Sequence, residues 1–173
     1  MRILFTTFLV LVFSLKCISQ EKIKEAQISF QKPNEKWELK GKQNENEFTI
    51  YFYKREPIAD KDNRQIIPNI SFVIENLPND SIDVINFSLQ KRINAPFEVK
   101  EAFIHDDGRI DFENAIAYKA IYKDKFGEHT VFVVHLLNNK KGVQVIMDVL
   151  TVIYPELEKE FIFALKSLKI DNN

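Results

Sequence analysis

Apolar and polar residues alternate with a period of two along several segments of this chain, and that alternation predicts strands. Glu47 to Lys54 (EFTIYFYK) and Asn69 to Glu75 (NISFVIE) carry the clearest pattern. Gln27 to Phe30 and Trp37 to Lys40 are shorter candidates. The strong strand near residue 50 divides its side chains between two faces: Phe48, Ile50 and Phe52 on one, and Thr49, Tyr51 and Tyr53 on the other.

Four more strand-like segments follow in the second half of the chain: Phe97 to Ile104, Arg109 to Tyr122, His129 to Leu137 and Val143 to Leu150. Short loops containing Gly108, Gly127 or Gly142 separate them, which is typical of antiparallel hairpins. We interpret these glycines as turn residues, because glycine tolerates the positive φ angles that tight turns require. Several of the strands are apolar on both faces, so we expect helices to cover the sheet on at least one side.

Two helices are predicted from apolar residues spaced three or four apart. The first follows an N-cap signal at Asn79-Asp80-Ser81 and ends before Pro96. Its apolar face, the face that such a helix turns to a core, is formed by Ile82, Ile85, Leu89 and Ile93. The second begins at Pro155, and its buried stripe is formed by Leu157, Phe161, Leu165 and Leu168.

The first nineteen residues have the pattern of a secretory signal peptide. Arg2 gives a positive start, and an almost wholly apolar run of 13 residues follows from Ile3 to Leu15. Cleavage before Gln20 would put Cys17 and Ser19 at the small-residue positions. The run is shorter than the roughly 20 residues that span a bilayer. We therefore expect an exported protein, periplasmic or secreted, with no transmembrane span in the mature chain.

Two alternatives to cleavage stay open. In the first, residues 1–19 are an uncleaved anchor or a buried first strand. In the second, the protein is a lipoprotein anchored at Cys17. Ser14 and Lys16 are a poor context for lipid attachment, which usually has Leu and a small residue at those places.

Composition narrows the classes of function. Among 173 residues there are 24 Lys and Arg against 25 Asp and Glu, and without the leader the balance is 22 against 25. This slightly acidic chain is not a basic nucleic-acid binder. Hydrophobic residues make up 45% of the chain, which excludes intrinsic disorder. A single Cys excludes a disulfide framework, and four Gly include no phosphate-loop motif.

The region after the leader, residues 20–173, is predicted to be one α+β domain, and it resembles the PsbP-like superfamily of small α/β/α sandwich domains. The resemblance is carried by the helix over Ser81 to Ile93, the long strands over Tyr118 to Leu137, and the closing pattern of Lys141 to Ile146 followed by Glu160-Phe161 and Lys166 to Ile170. It implies a mostly antiparallel, twisted sheet of about six strands flanked by two helices. It also implies protein binding or complex assembly rather than catalysis, so no catalytic residue is carried over.

A long loop from Arg55 to Pro68 joins the two clearest strands. Loops of this length are often functional, so this is the first place where we expect a binding surface. Tyr51 and Tyr53 with Arg55 form the best candidate for an exposed aromatic and basic patch leading into it. The candidate interaction surface is Tyr51, Tyr53, Arg55, Asp60 and Arg64.

Candidate chemistry is sparse, and the sequence predicts no catalytic residue, no cofactor and no metal site. His129 and His135 are expected to face the same side of one strand, about 20 Å apart, which is too far for one metal ion. Asp148 lies in an apolar strand, where it faces solvent, pairs with Lys119 or Lys123, or has a raised pKa and a functional role.

The sequence favours an exported, non-enzymatic binding or assembly module of the bacterial envelope. Its partner is expected to be a protein or an envelope component, and not nucleic acid. The alternative is a small hydrolase or ligand-binding enzyme whose site is assembled from scattered residues, namely His105, Asp107, Asp148 and His135. That alternative requires the four side chains to converge within about 10 Å of one another.

Overall fold

Antiparallel pairing of neighbouring strands builds most of the structure. The computed structural model describes residues 20–45, 47–78, 82–93, 95–104 and 110–171. The strands of this part are β1 (Gln20–Ile23), β2 (Ile28–Gln31), β3 (Trp37–Glu45), β4 (Phe48–Arg55), β5 (Ile58–Ala59), β6 (Gln65–Ile66), β7 (Asn69–Asn76), β8 (Glu98–Ile104), β9 (Ala115–Asp124), β10 (Gly127–Asn138), β11 (Lys141–Leu150) and β12 (Lys169–Ile170). The helices are α1 (Val84–Arg92) and α2 (Tyr154–Lys166), and Lys24–Ala26 forms a 3-10 turn.

The main sheet has seven strands in the order β3-β4-β7-β11-β10-β9-β8, and every neighbouring pair is antiparallel. The α+β class, the large antiparallel sheet and the two helices are confirmed. The expected number of about six strands is one too few. A second sheet of order β1-β2-β12 and the small hairpin β5-β6 complete the topology.

One face of the main sheet is covered by α2 and the second sheet together. Phe132 of β10 meets Phe161 of α2 with ring centroids 6.1 Å apart. Phe30 of β2 packs at 4.7 Å on Phe72 of β7. The core therefore lies on this face. The predicted stripe of α2 is buried there, as expected from its spacing.

The opposite face has less cover. The short helix α1 packs on β9 and β10, and its buried residues are Phe87 and Ser88. On β4 and β7 of the same face, Ile50, Phe52 and Val73 stay half-buried. The two faces of the sheet thus differ in how completely they are sealed from water.

The hairpin turns correct our interpretation of the glycines. Gly127 does take a positive φ, +141°, in the β9–β10 turn. In the β10–β11 turn, Asn139 and Lys140 take the left-handed conformation instead, with φ of 49° and 60°. Gly142 lies within β11, and Gly108 lies outside the described residues.

The N-cap of α1 also differs from the expectation. Asp83 occupies it, and its carboxylate accepts a hydrogen bond from the backbone N–H of Asn86 at 2.8 Å. The expected signal at residues 79–81 lies outside the described residues. Asp83 places a negative charge at the positive end of the helix dipole, which stabilises the helix start.

Neither helix of the described chain has the length and apolar character needed to cross a membrane.

Candidate functional site

The expected aromatic patch on β4 is not exposed at the two tyrosines. Tyr51 is 7% exposed and Tyr53 is 1% exposed, because both face the core beneath the second sheet. Tyr53 stacks edge-on against Phe30 with centroids 5.0 Å apart. Burial, reinforced by Glu21, raises the pKa of Tyr53 far above its ordinary value. The prediction of an exposed patch is therefore wrong for both tyrosines.

Arg55 is also engaged within the fold. Its guanidinium donates two hydrogen bonds to the Glu160 carboxylate of α2, at 3.1 and 3.2 Å. The indole N–H of Trp37 donates to the same carboxylate at 2.6 Å. Because the two charged side chains are only 11% and 19% exposed, this cluster fastens α2 to β3 and β4 rather than offering a charge to a partner.

Asp60 and Arg64 organise the long loop, which is more ordered than the sequence suggested. The β5–β6 hairpin lies within it, and Asp60 accepts hydrogen bonds from the backbone N–H groups of Asp62 and Arg64. The Arg64 guanidinium pairs with the Asp60 carboxylate at 2.7 Å. Burial tends to raise the pKa of Asp60, but these donors and the Arg64 charge together hold it below its ordinary value. Asp60 is thus a structural residue, while the Arg64 side chain remains half exposed.

An aromatic and basic surface does exist beside this loop, on the other face of β4. Phe52, Lys54, Ile67, Asn69 and Ser71 line a shallow depression of about 340 Å³. Side chains two apart share a face of a strand, so a shift of one residue moves the whole set to the opposite face. The strand was identified correctly, and the aromatic side chain that lines this depression is the half-buried Phe52 instead of its tyrosine neighbours.

The largest departure from the sequence prediction is on α1. Ile85, Leu89 and Ile93 were expected to face a core, yet they are 59%, 52% and 78% exposed. The helix packs on the sheet through Phe87 and Ser88 instead, each 1% exposed. The three exposed side chains are four residues apart and lie in one row along the helix. We call this row, Ile85, Leu89 and Ile93, the α1 ridge.

An open cleft of about 400 Å³ adjoins the N-terminal end of the α1 ridge. It lies between the start of α1 and the β10–β11 turn, and Ile82, Asp83, Leu77 and Asn139 are among its lining residues. Together with the α1 ridge, the cleft gives one side of the molecule a raised apolar surface beside a recessed surface lined by both polar and apolar residues.

A histidine–carboxylate cluster lies at the other end of the same sheet face. The Asp148 carboxylate is 2.9 Å from Nδ1 of His129 and accepts a hydrogen bond from the Tyr122 hydroxyl, also at 2.9 Å. The rings of Tyr122 and His129 stack at 4.5 Å. Burial and then the Asp148 charge raise the pKa of Tyr122, so its hydroxyl stays protonated and donates. Asp148 therefore pairs with His129 and Tyr122, and not with Lys119 or Lys123 as one alternative had it.

The second ring nitrogen of His129 is enclosed as well. Nε2 has almost no solvent contact and lies 3.3 Å from a carboxylate oxygen of Asp124. Burial acts to raise the pKa of Asp124, but the N–H groups of Phe126 and Gly127 and the adjacent His129 hold it below its ordinary value. Nε2 is enclosed and Nδ1 is engaged by Asp148, so the cluster joins β9, β10 and β11 and offers neither nitrogen to a substrate.

A second buried cluster lies beneath α1. Nδ1 of His135 is 2.9 Å from the Ser88 hydroxyl, which is hydrogen-bonded to the Tyr118 hydroxyl. A serine beside a histidine is the arrangement of an activated nucleophile. Here both residues are 1% exposed, so a substrate has no access. Burial, opposed by a hydrogen bond to Gln144 and helped by the charges of Lys91 and Arg92, lowers the pKa of His135 to about 4.

The scattered enzyme site receives no support from the residues that are described. Asp148 pairs with Val131 across the β10–β11 ladder, and His135 is four residues further along β10. At about 3.3 Å per residue, the two lie roughly 13 Å apart. His105 and Asp107 lie outside the described residues. Within the described chain, no group of three or more His, Cys, Asp or Glu side chains is arranged to hold a metal ion.

Comparison with known proteins gives a likeness to a solved structure. Neither the protein-family models nor the curated proteins include a match. The crystal structure of the Ran-binding protein Mog1p from Saccharomyces cerevisiae superposes on 89% of this chain and 95% of its own, with a TM-score of 0.50 and 8% identity. The chain is similar to Mog1p in fold. At this identity the likeness extends to the fold alone.

Sequence reasoning missed the α1 ridge and both histidine clusters. The β10–β11 register would have revealed the pairing of His129 with Asp148, because a two-residue turn at Asn139-Lys140 sets Val131 opposite Asp148. No comparable signal marked the ridge, since spacing on a helix does not say which side faces the sheet.

Proposed function

We propose that this chain is an exported binding module that docks a partner protein on the α1 ridge. The observation that carries the proposal is the exposure of Ile85, Leu89 and Ile93 in one row. Single exposed apolar residues are ordinary on protein surfaces, whereas a contiguous apolar row marks a surface that is covered by a partner.

The packing of α1 supports this reading of the ridge. The helix already has a buried side, where Phe87 meets Gly142 and Ser88 meets His135. Phe87 and Ser88, and not the α1 ridge, therefore form the buried side of α1. Burying three such side chains against a partner would remove a large apolar area from water at no cost to the fold.

Two further observations favour protein binding. Mog1p, whose crystal structure is similar in fold, is described as a Ran-binding protein. The PsbP-like resemblance in the sequence independently implies binding and assembly. The leader-like residues 1–19 favour a partner outside the cytoplasm, so we propose a protein of the bacterial envelope as the partner.

The buried chemistry points the same way. The His129–Asp148 and Ser88–His135 pairs are enclosed, and their hydrogen bonds are used to join strands or to seat α1. The α1 ridge, by contrast, is exposed and apolar, which suits contact with a partner rather than proton transfer.

A photo-reactive residue on the ridge tests the proposal. The complete chain would be expressed in its own bacterium with benzoylphenylalanine at position 89, and in parallel at the exposed position Gln43 on β3. We expect position 89 to give a discrete adduct with a protein, and the same adduct to weaken when Ile85 and Ile93 are both changed to Gln. Position 43 should not give it. Absence of any adduct specific to position 89 contradicts the proposal.

A further inference from the structure

We propose that the depression beside the long loop binds an organic carboxylate with an aliphatic chain, the carboxylate at Lys54 and the chain on Phe52 and Ile67. The depression lies on β4 and β7, whereas α1 packs on β9 and β10, so this site is separate from the α1 ridge and does not depend on its partner. Its volume of about 340 Å³ is in the range of small-molecule sites. We call it the β4–β7 depression.

Three polar side chains of the β4–β7 depression have no partner within the described chain. Lys54 makes no ion pair there, and the side chains of Asn69 and Ser71 make no hydrogen bond. Asn69 lies opposite Lys54 in the β4–β7 ladder, and Ser71 follows on the same face of β7. An ammonium group, an amide and a hydroxyl therefore converge beside an aromatic ring, which is the composition of a ligand site.

The charge of Lys54 is available to an anion. Glu38 lies opposite Lys54 in the β3–β4 ladder, but its carboxylate pairs with Lys40. Asp148 on β11 faces the same side of the sheet, and its carboxylate is engaged by His129. A carboxylate on the ligand would complement the ammonium group and accept further hydrogen bonds from the neighbouring amide and hydroxyl.

The apolar part of the site extends beyond the depression. Ile50 shares one face of β4 with Phe52, Val73 lies opposite Ile50 on β7, and Ile146 continues the same face on β11. All four side chains are half-buried. The strip from Lys54 to Ile50 is about 13 Å long, from four residues at about 3.3 Å each. A ligand that covers it removes apolar area from water, which favours an aliphatic chain over a small anion.

The wall of the depression is held in place by the fold. The backbone N–H of Arg55 donates to the carbonyl of Pro68 at 3.1 Å, which fixes the end of the long loop against β4. The Arg55 side chain is held in turn by Glu160. Ile67 stands at this fixed rim with 49% of its side chain exposed. A site formed in advance loses little conformational freedom when a ligand binds.

Titration calorimetry with three probes tests the chemistry of the ligand. The protein, purified from its own bacterium, would be titrated with decanoate, decyltrimethylammonium and propionate, each below the concentration at which it forms micelles. We expect decanoate to bind with a Kd on the order of 1 mM or tighter. Decyltrimethylammonium keeps the chain and reverses the charge, whereas propionate keeps the charge and shortens the chain. Both should bind at least tenfold more weakly.

Matched substitutions locate the site. Lys54→Gln should weaken decanoate binding at least threefold, whereas Lys159→Gln, on α2 at the opposite side of the sheet, should leave it unchanged. Ile67→Ser should also weaken binding at least threefold. Its control is Ile170→Ser on β12, because Ile170 is 48% exposed. All four positions are exposed, so the variants should fold, and circular dichroism checks this.

The proposal is overturned if decanoate does not bind, if either of the other two probes binds as tightly, or if the two variants of either pair behave alike. Sedimentation with phosphatidylglycerol vesicles tests a membrane surface as the source of the same chemistry. If the protein binds the vesicles but not monomeric decanoate, the depression contacts a membrane and the proposed ligand is wrong. None of these results changes the expected adduct at position 89, so the two proposals fail separately.

Discussion

Gly142 lies directly beneath the ring of Phe87. A Cβ atom at Gly142 would stand 2.4 Å from Cε2 of that ring, and 3.1 Å from a methyl carbon of Leu77. Phe87 is 1% exposed, so its ring has little room to move aside. The packing of α1 on the sheet therefore depends on having a glycine, with no side chain, at position 142 of β11.

Gly142→Ala should destabilise the protein by about 1–3 kcal/mol, the usual cost of overpacking a core. Urea unfolding followed by circular dichroism measures it. Gly41→Ala is the matched control, because nothing lies within 4 Å of its Cβ position, and we expect little change there. Phe87→Leu replaces the ring with a smaller side chain. In that background Gly142→Ala should lower the free energy of unfolding by less than it does in the parent protein. Equal effects of the two Gly→Ala changes would contradict the close approach.

The two sides of α1 should respond differently to substitution. Phe87→Ala removes a buried aromatic ring and should cost about 3–5 kcal/mol. Leu89→Gln changes a half-exposed residue and should alter the free energy of unfolding by no more than about 0.5 kcal/mol. Thermal or urea unfolding of the two variants, at a protein concentration low enough to avoid association, compares them. A large loss for Leu89→Gln would restore the orientation expected from the sequence.

The contrast between α1 and α2 shows how far helix periodicity reaches. In α2 the apolar stripe is the side that packs, so spacing predicted both the helix and its buried face. In α1 the same spacing picks out the exposed row. The glycine at position 142 determines which side of α1 packs on the sheet, because the absence of a side chain there leaves room for the Phe87 ring. Gly142 lies far from α1 in the sequence. Local pattern carries no information about such a contact.

Strand β4 shows the same limit for alternation. Both of its faces carry aromatic side chains, so the sequence does not show which face is inside. The second sheet determines which face of β4 is buried, because it places Phe30 against Tyr53. The strands of that sheet come from both ends of the described chain. Tyr51 and Tyr53 were therefore expected on the exposed face although they lie on the buried one, while the strand itself was predicted correctly.

The cluster of Arg55, Glu160 and Trp37 should behave as a buried ion pair. Arg55→Met leaves the Glu160 carboxylate without its counter-ion and should cost about 3 kcal/mol. Adding Glu160→Gln removes the orphaned charge and keeps an acceptor for the Trp37 indole, so the double variant should be more stable than Arg55→Met alone. Unfolding in urea reports both. Lys40→Ala, which breaks an exposed pair with Glu38, should leave the stability nearly unchanged. If the double variant is less stable than Arg55→Met alone, the unpaired charge of Glu160 is not the cause of the destabilisation.

The low pKa of His135 should make the fold sensitive to mild acid. Its pKa is about 4 in the fold against about 6.5 when unfolded, so between these values the unfolded chain binds a proton that the folded chain does not. Stability is then fully present above pH of about 6.5 and declines as the pH falls towards about 4. The loss between about pH 7 and about pH 5 should be about 2 kcal/mol. Urea unfolding at the two pH values measures it. Carboxylates with lowered pKa values, such as Glu25 and Glu158, act at lower pH and do not obscure this window. His135→Gln keeps a polar partner for Ser88 and should abolish most of the loss, so an unchanged pH dependence in that variant would assign the effect to other groups.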